Sequence, residues 1–145
     1  MKRIQSFEID HTQLEKGVYV SRVDAVGRSF VTTFDLRMKA PYRDARLHGT
    51  SAHALEHALA TYLRNTRNDV LYVGPMGCLT GFYVLLTGKK EVKQLLPSLI
   101  DAFEWILTLT QVPGATRYEC GNFPFMDLAK AKMDAEQYLQ VLKTL

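Results

Sequence analysis

The clearest pattern of apolar and polar positions lies in residues 52–67, A-H-A-L-E-H-A-L-A-T-Y-L-R-N-T-R. At about 100° per residue, one side of a helix built from this segment is apolar. Its members are Leu55, Leu59, Tyr62 and Leu63. The polar residues gather on the opposite side. The pattern predicts an amphipathic helix that follows an N-cap at Thr50 or Ser51 and ends near Asn68.

Before this helix, apolar and polar residues alternate in two segments, as in strands with one face buried. Gly17–Val23 is the first segment, and residues 28–37 are the second. Gly27 marks a turn between them, so the two strands are predicted to pair antiparallel. Residues 1–16 are predicted to be irregular or a short extended lead-in. Pro41 opens a polar loop that leads to the helix.

Two short apolar segments follow the helix and predict two further strands, Val70–Val73 and residues 82–87. The connection between them, residues 74–81, contains three glycines and a proline. Glycine lets the backbone come close to a ligand. Cys78 lies in this connection, where a thiol could touch a substrate.

From Glu91 onward the apolar residues recur with a helical period. Pro97 falls inside this pattern and indicates a kink or a restart, and the sequence V-P-G at 112–114 is predicted to end the helix. A last helix is predicted to start near Asp127. Its buried stripe consists of Leu128, Ala131, Ala135, Tyr138, Leu139 and Leu142. The predicted fold is α+β, a mainly antiparallel sheet packed against three substantial helices in one domain, residues 1–145.

Composition and charge narrow the class of protein. The chain has 145 residues, of which 47% are hydrophobic and 23% charged, values typical of a soluble globular protein. The net charge of +3 is spread along the chain, which argues against a nucleic-acid partner. The N-terminal sequence M-K-R-I-Q-S-F-E-I-D contains no apolar run, so neither a signal peptide nor a membrane span is predicted, and a cytoplasmic location is expected. The two cysteines are then expected to be thiols rather than a disulfide.

The polar side of the 52–67 helix carries the candidate chemistry. His53 and His57 are one helical turn apart, close enough to bind one metal ion, with Glu56 beside them. The order H-x-x-E-H is the reverse of the H-E-x-x-H of zinc proteases and occurs in inverted zinc enzymes. The alternative is a pair of solvent-facing or hydrogen-bonded histidines. A metal site would need a third ligand elsewhere and, for catalysis, an open coordination position.

Each cysteine has two interpretations. Cys120 is a candidate third ligand, because a His₂Cys set leaves a tetrahedral metal one open position, but many free cysteines are simply buried small apolar residues. Cys78 is a candidate proton-transfer group, because a thiolate near a divalent cation can act at neutral pH, or else a packed core thiol.

Five motifs together resemble the S-ribosylhomocysteine lyase, or LuxS, family. They are S-F-E-I-D-H at 6–11, F-D-L-R at 34–37, H-A-L-E-H at 53–57, G-P-M-G-C-L-T-G-F-Y at 74–83 and E-C-G-N at 119–122. They occur in the family's order with family-like spacing and cover nearly the whole chain. Members of this family cleave S-ribosylhomocysteine to homocysteine and 4,5-dihydroxy-2,3-pentanedione, the precursor of autoinducer-2.

The resemblance implies one divalent metal per subunit, iron(II) that zinc or cobalt can replace, bound by His53, His57, Cys120 and a water. It implies that Cys78 and Glu56 transfer protons while the sugar carbonyl moves from C1 to C2 and then C3, before homocysteine leaves by β-elimination. A metal acting as a Lewis acid would stabilise the charge that develops in each step.

The same resemblance implies a substrate pocket at a homodimer interface. The matching positions are Ser6, His11, Arg37 and Arg64. Four positions depart from better-known members: Tyr72 replaces an aspartate, Tyr42 an asparagine, Leu79 an arginine or glutamine, and Met126 a histidine. We expect these departures to affect binding of the homocysteine end of the substrate rather than the reaction.

Two rival functions remain without the resemblance. One is an inverted-motif zinc hydrolase, with Glu56 activating a metal-bound water. Such enzymes usually have longer chains and a carboxylate as third ligand. The other is a structural metal site in a small binding module. Closed structural sites use four protein ligands, so this function would require Cys78 as the fourth.

Overall fold

A computed structural model describes all residues 1–145 and contains four strands and three α-helices. The strands are β1 Gly17–Val26, β2 Ser29–Arg37, β3 Val70–Pro75 and β4 Gly81–Thr87, and the helices are α1 Gly49–Thr66, α2 Val92–Thr108 and α3 Leu128–Leu142. A short 3₁₀ turn, Gln5–Phe7, interrupts the otherwise irregular N-terminal segment. None of the three helices has the length and apolar character needed to cross a lipid bilayer.

The four strands form one antiparallel sheet in the order β1-β2-β4-β3. The predicted pairing of the first two strands is confirmed. Their turn is at Gly27, whose φ of 59° lies in the region that glycine adopts without steric cost. β1 runs three residues past the predicted end at Val23, because its edge residues continue to pair with β2 as far as Val26 opposite Ser29.

All three helices cover the same face of the sheet. Facing rows such as Val18, Leu36 and Phe82 point into this layer, since residues paired directly across antiparallel strands share a side. A single core of 27 buried residues joins the sheet to the helices. The predicted α+β class and the apolar stripes of α1 and α3 are therefore confirmed.

The other face of the sheet is not covered by a helix, yet it carries buried polar residues. Thr33, Asp35 and Arg37 alternate with the apolar residues of β2 and are 5%, 4% and 2% exposed. A strand that is half-buried normally places polar side chains toward water. β2 is therefore a central strand with buried polar groups on the face that no helix covers.

One end of α1 and one end of α2 differ from the predictions. The N-cap of α1 is His48, not Thr50 or Ser51, and its Nδ1 accepts a hydrogen bond from the Thr50 amide. α2 ends at Thr108, before the predicted V-P-G, because the Leu109 amide turns back to the Ile106 carbonyl. α2 does not restart at Pro97, because Pro97 lies inside one continuous helix. The carbonyl deprived of its partner belongs to exposed Lys93, where water can replace the missing donor.

Candidate active site

The exposed side of α1 and the loop before α3 bring together three side chains that could ligate a metal, called here the metal-ligating group. Ligand atoms of His53, His57 and Cys120 lie within 4.8 Å of one another, and all three residues are half-buried. The histidines are one turn apart on α1, with ring centroids separated by 5.0 Å. Cys120 comes from a loop far along the chain, so the site depends on the packing of α1 against that loop.

Each histidine ring is oriented by a backbone carbonyl. His53 Nδ1 is 2.7 Å from the carbonyl oxygen of Phe125, and His57 Nδ1 is 2.9 Å from that of Pro113. A carbonyl can only accept, so both rings carry their proton on Nδ1. Nε2 of each ring is then free to bind a metal. Outer-shell bonds of this kind are the usual support of histidine ligands.

The position of Cys120 fits a tetrahedral ion. Its Sγ lies 3.4 Å from His53 Nε2. This matches the separation of about 3.5 Å expected when a tetrahedral ion binds both atoms, with metal–sulfur and metal–nitrogen bonds of about 2.3 and 2.0 Å. The Asn122 amide donates a hydrogen bond to Sγ at 3.4 Å. Two neutral imidazoles and one thiolate fit a divalent metal and leave one position of the tetrahedron for another ligand.

Gly114 allows His57 to approach this loop. Its φ is 68°, and a Cβ at this position would lie 3.2 Å from His57 Nδ1. A larger residue would therefore both strain the backbone and push the ring away from the Pro113 carbonyl. Glu56 lies on the same side of α1 as the two histidines and is half-buried.

Cys78 occupies a different cavity, of about 370 Å³. The residues that line it are His11, Arg37, Pro41, Tyr42, Asp44, Ala45, Arg46, Cys78 and Thr80. None of the three metal-ligating residues is among them. Cys78 is exposed and unpaired, as predicted for a thiol rather than a disulfide. It is not grouped with His53, His57 and Cys120, so one chain does not supply the fourth ligand that the structural-site hypothesis requires.

A buried polar network supports Cys78. Arg37 Nε and Nη2 donate to the two carboxylate oxygens of Asp35, and Nη1 donates to Thr80 Oγ1 at 2.6 Å. Thr80 Oγ1 in turn lies 3.1 Å from Cys78 Sγ. Burial and the Asp35 charge raise the pKa of nearby Tyr83, so this phenol stays neutral beside the network at physiological pH.

Comparison with known proteins places this arrangement in a family. A family model described as S-ribosylhomocysteinase (LuxS) matches residues 4–144. The chain is 46% identical over 142 residues to the S-ribosylhomocysteine lyase of Desulfotalea psychrophila, covering 95% of this chain and 89% of that protein. The chain belongs to the LuxS family.

Two further relatives carry the same name across nearly their whole length. The S-ribosylhomocysteine lyase of Finegoldia magna is 42% identical, with 100% of this chain and 94% of that protein covered. The enzyme of Porphyromonas gingivalis is 44% identical, with 97% and 91% covered. The family resemblance found in the five motifs is therefore confirmed.

The four residues predicted to contact substrate fall in three places on this LuxS chain. His11 and Arg37 line the Cys78 cavity. Ser6 lines a separate cavity of about 240 Å³ over the uncovered face of the sheet, together with Tyr72 and Thr33. Arg64 lies near the C-terminal end of α1, where Nη1 donates to the Leu71 carbonyl. One chain alone does not bring all four together.

The four departures from better-known LuxS sequences also have distinct positions. Tyr72 lies beside Ser6, and Tyr42 is 88% exposed at the Cys78 cavity. Leu79 and Met126 pack against the apolar core. None of the four is among the metal-ligating residues.

Several residues that shape the site carry no signal in the sequence. The carbonyls of Pro113 and Phe125 orient the histidines, but every residue has a carbonyl. Asp35 and Thr80 support Arg37 and Cys78 through contacts between strands. In β2, Asp35 and Arg37 share one side of the strand. Their alternation with apolar residues predicts that this side is exposed to solvent, so the pattern did not reveal that the side is buried.

Proposed function

We propose that this chain is a metal-dependent carbon–sulfur lyase that cleaves S-ribosylhomocysteine to homocysteine and 4,5-dihydroxy-2,3-pentanedione. The observation that carries the proposal is the His53–His57–Cys120 group in a chain of the LuxS family. The relatives named above are S-ribosylhomocysteine lyases. His53 Nε2 lies 3.4 Å from Cys120 Sγ, and the hydrogen bonds at Nδ1 leave Nε2 of both rings free for a divalent ion.

His53 Nε2, His57 Nε2 and Cys120 Sγ would hold the metal, iron(II) by resemblance to the family, with zinc or cobalt as substitutes. When bound, the metal supplies a Lewis acid that polarises a sugar carbonyl oxygen. The backbone carbonyls of Pro113 and Phe125 keep the two imidazoles in the correct tautomer for this task.

Cys78 and Glu56 are the proposed proton-transfer residues. The Cys78 thiolate removes a proton from the carbon next to the carbonyl and returns it to the neighbouring carbon, so that the carbonyl moves along the chain from C1 to C2 and then to C3. Glu56 moves the hydroxyl protons and assists elimination. With the carbonyl at C3, the C4 proton is removed, the C4=C5 double bond forms as the C–S bond breaks, and the electron pair of that bond leaves with sulfur. Protonation of the sulfur yields the free thiol of homocysteine, and tautomerisation of the enol gives the dione.

Arg37 is proposed to bind substrate through the N–H groups that its own hydrogen bonds leave free. Three of its five N–H groups already donate to Asp35 and Thr80, so two remain for a sugar oxygen. His11 Nδ1 donates to the Ile9 carbonyl at 2.9 Å, which leaves Nε2 as an acceptor for a hydroxyl. Both are suited to polar sugar groups. Ser6 and Arg64 complete the proposed set.

We infer that the site is completed across a homodimer. The Cys78 cavity and the metal-ligating group are separate within one chain. The uncovered face of the sheet exposes Tyr19 and Tyr72 and buries the hydroxyl of Thr33 without a hydrogen-bond partner. A second chain packed on this face would cover the aromatic side chains, as the symmetric contacts of homodimers do.

The activity is tested by adding S-ribosylhomocysteine to metal-loaded protein and measuring free thiol with a thiol-reactive dye. We expect release by the wild type and a loss of more than about a thousandfold in Cys78→Ala, because the proton-transfer group is removed. The metal content of Cys78→Ala should be unchanged. Loss of metal in this variant would favour Cys78 as a structural ligand. No thiol release together with peptide cleavage would favour the inverted-motif hydrolase.

The shared site is tested by mixing two inactive variants, Cys78→Ala and His57→Ala, after mild dissociation. If each site takes Cys78 from one chain and the metal from the other, the mixed dimer has one intact site, and roughly a quarter of the wild-type activity should return. The control is a mixture, prepared in the same way, of two inactive variants that both replace Cys78, Cys78→Ala and Cys78→Ser. Failure of the mixture to regain activity, with mixed dimers present, would contradict a site shared between chains.

A further inference from the structure

Thr80 is placed to control the proton of Cys78. Arg37 Nη1 donates to Thr80 Oγ1 at 2.6 Å, and a guanidinium has no acceptor. Thr80 Oγ1 must therefore accept this bond, and its own hydrogen points elsewhere. Cys78 Sγ lies 3.1 Å from the same oxygen.

The hydroxyl donor suits one state of the sulfur better than the other. A thiolate accepts the Thr80 hydrogen as a charge-assisted bond, whereas a thiol can donate only weakly to the remaining lone pair of the oxygen. Because bonds to a charged acceptor are roughly twice as strong as neutral ones, this geometry favours the thiolate.

The backbone fixes Thr80 in this orientation. Its carbonyl accepts hydrogen bonds from the amides of both Met38 and Lys39, at 3.0 and 2.9 Å, where β2 ends. Its side chain is 8% exposed, and a β-branched residue has few χ1 rotamers. The hydroxyl is therefore held between Arg37 and Cys78 before any substrate arrives.

We propose that Thr80 is a positioning residue that aims the Cys78 sulfur and stabilises its thiolate by donating a hydrogen bond. The proposal rests on the proposed lyase function, in which Cys78 acts as a base. No motif in the sequence assigned a role to Thr80. In the proposed reaction, the hydrogen bond from Thr80 keeps Cys78 ready to accept a proton at neutral pH.

The other charged groups near Cys78 do not replace this bond. The charge of Arg37 is compensated by Asp35, with which it forms a buried bidentate pair. The remaining ionisable groups around the sulfur are His11, Asp44, Arg46 and Tyr42, which line the same cavity, and nearby Tyr83. Hydrogen bonding from the Ala40 amide keeps the pKa of Asp44 below its ordinary value, so Asp44 adds a negative charge to the cavity throughout the neutral range.

The test measures the pH dependence of Cys78 alkylation by iodoacetamide in the metal-loaded protein, with mass spectrometry of the Cys78 peptide. In Thr80→Val we expect the pH midpoint of alkylation to rise by about one unit, so that alkylation below the midpoint slows about tenfold. Thr80→Ser retains the hydroxyl and should restore the wild-type midpoint. An unchanged midpoint in a folded Thr80→Val protein would overturn the proposal, as would an equal rise in Thr80→Ser.

Thr33→Val is the matched control. Thr33 lies on the same face of β2 as Asp35 and Arg37, is 5% exposed, and its hydroxyl has no partner, so its replacement should leave the alkylation midpoint in place. If Thr80→Val does not fold, Thr80→Ala removes the same hydroxyl with less bulk beside Arg37 and must show the same rise. Alkylation needs no substrate. A shifted midpoint in a protein that releases no homocysteine would therefore contradict the lyase function and leave the Thr80 role standing.

Discussion

The candidate metal-ligating group and the Cys78 cavity differ in what holds their side chains in place. His53 and His57 are oriented by the backbone carbonyls of Phe125 and Pro113. Cys78 and Arg37 are oriented by other side chains, Thr80 and Asp35. A side-chain substitution can remove the second kind of support directly. It can disturb the first kind only by moving the backbone or removing the ligand itself.

Backbone conformation differs between the two regions in a related way. Near the metal-ligating group, the positive φ of 68° falls on Gly114, which adopts it without steric cost. Near Cys78, positive φ values of 65° and 58° fall on Tyr42 and Leu79, and these residues pay a steric penalty there. The backbone of the Cys78 region is thus the more strained of the two.

The largest effect is expected for Asp35→Ala. The change leaves the buried Arg37 charge without its partner, and breaking a buried pair in this way costs about 3–5 kcal/mol. We expect that loss in the free energy of unfolding measured with urea. Asp24→Ala is the control, because Asp24 pairs with Arg22 at an exposed position of β1, where such pairs contribute less than about 1 kcal/mol. Equal losses of unfolding free energy in the two variants would show that the buried Asp35–Arg37 pair contributes no more to stability than an exposed pair.

His57→Ala should remove the metal while the fold persists. The ring is half-buried and outside the apolar core, so its loss costs little packing, but a metal with two remaining ligands binds weakly. We expect metal affinity, measured by competition with a chromophoric chelator, to fall by more than about a hundredfold. His48→Ala removes only the N-cap of α1 and should keep full metal occupancy. Retention of metal by His57→Ala would refute the proposed ligand set.

Gly114→Ala tests the backbone support without touching a ligand. The added Cβ would lie 3.2 Å from His57 Nδ1, so the ring should tilt away from the Pro113 carbonyl, and metal affinity should fall about tenfold. Gly27→Ala imposes a similar φ penalty, but its Cβ would have nothing within 4 Å. The control should lose stability and keep its metal affinity. If both variants bind metal equally well, the close contact between Gly114 and His57 is unimportant.

Periodicity in the sequence was sufficient to predict most of the framework. The apolar stripe of α1 separated Leu55 and Leu59 from His53 and His57, and the structure has the same two sides. Local spacing works there because residues one turn apart are neighbours on any helix. Cys120 was different. Its distance from the histidines depends on how a loop packs, so the local sequence left two interpretations of Cys120 open, a metal ligand or a buried apolar residue. The family resemblance favoured the ligand.

The rest was beyond sequence patterns because it depends on tertiary contacts. Thr80 and Arg37 meet across neighbouring strands, 43 positions apart in the chain. The end of α2 at Thr108 was missed because proline and glycine show where a helix cannot continue, not where it stops. The positive φ of Tyr42 was also beyond prediction, since a tyrosine gives no sign of that conformation.

Tyr42→Asn should give the smallest effect, and one of opposite sign. Tyr42 is 88% exposed, so little burial is lost, while asparagine tolerates a φ of 65° better than tyrosine. We expect a gain of about 0.5–1 kcal/mol in the free energy of unfolding, seen as a higher urea midpoint at constant slope. Tyr118→Asn is the control, since Tyr118 is fully exposed and its φ is not positive. It should change stability by less than about 0.5 kcal/mol. A lower free energy of unfolding in Tyr42→Asn would mean that the tyrosine ring makes favourable contacts at the Cys78 cavity that outweigh the backbone penalty. The backbone at the cavity would then be less strained than its φ values imply.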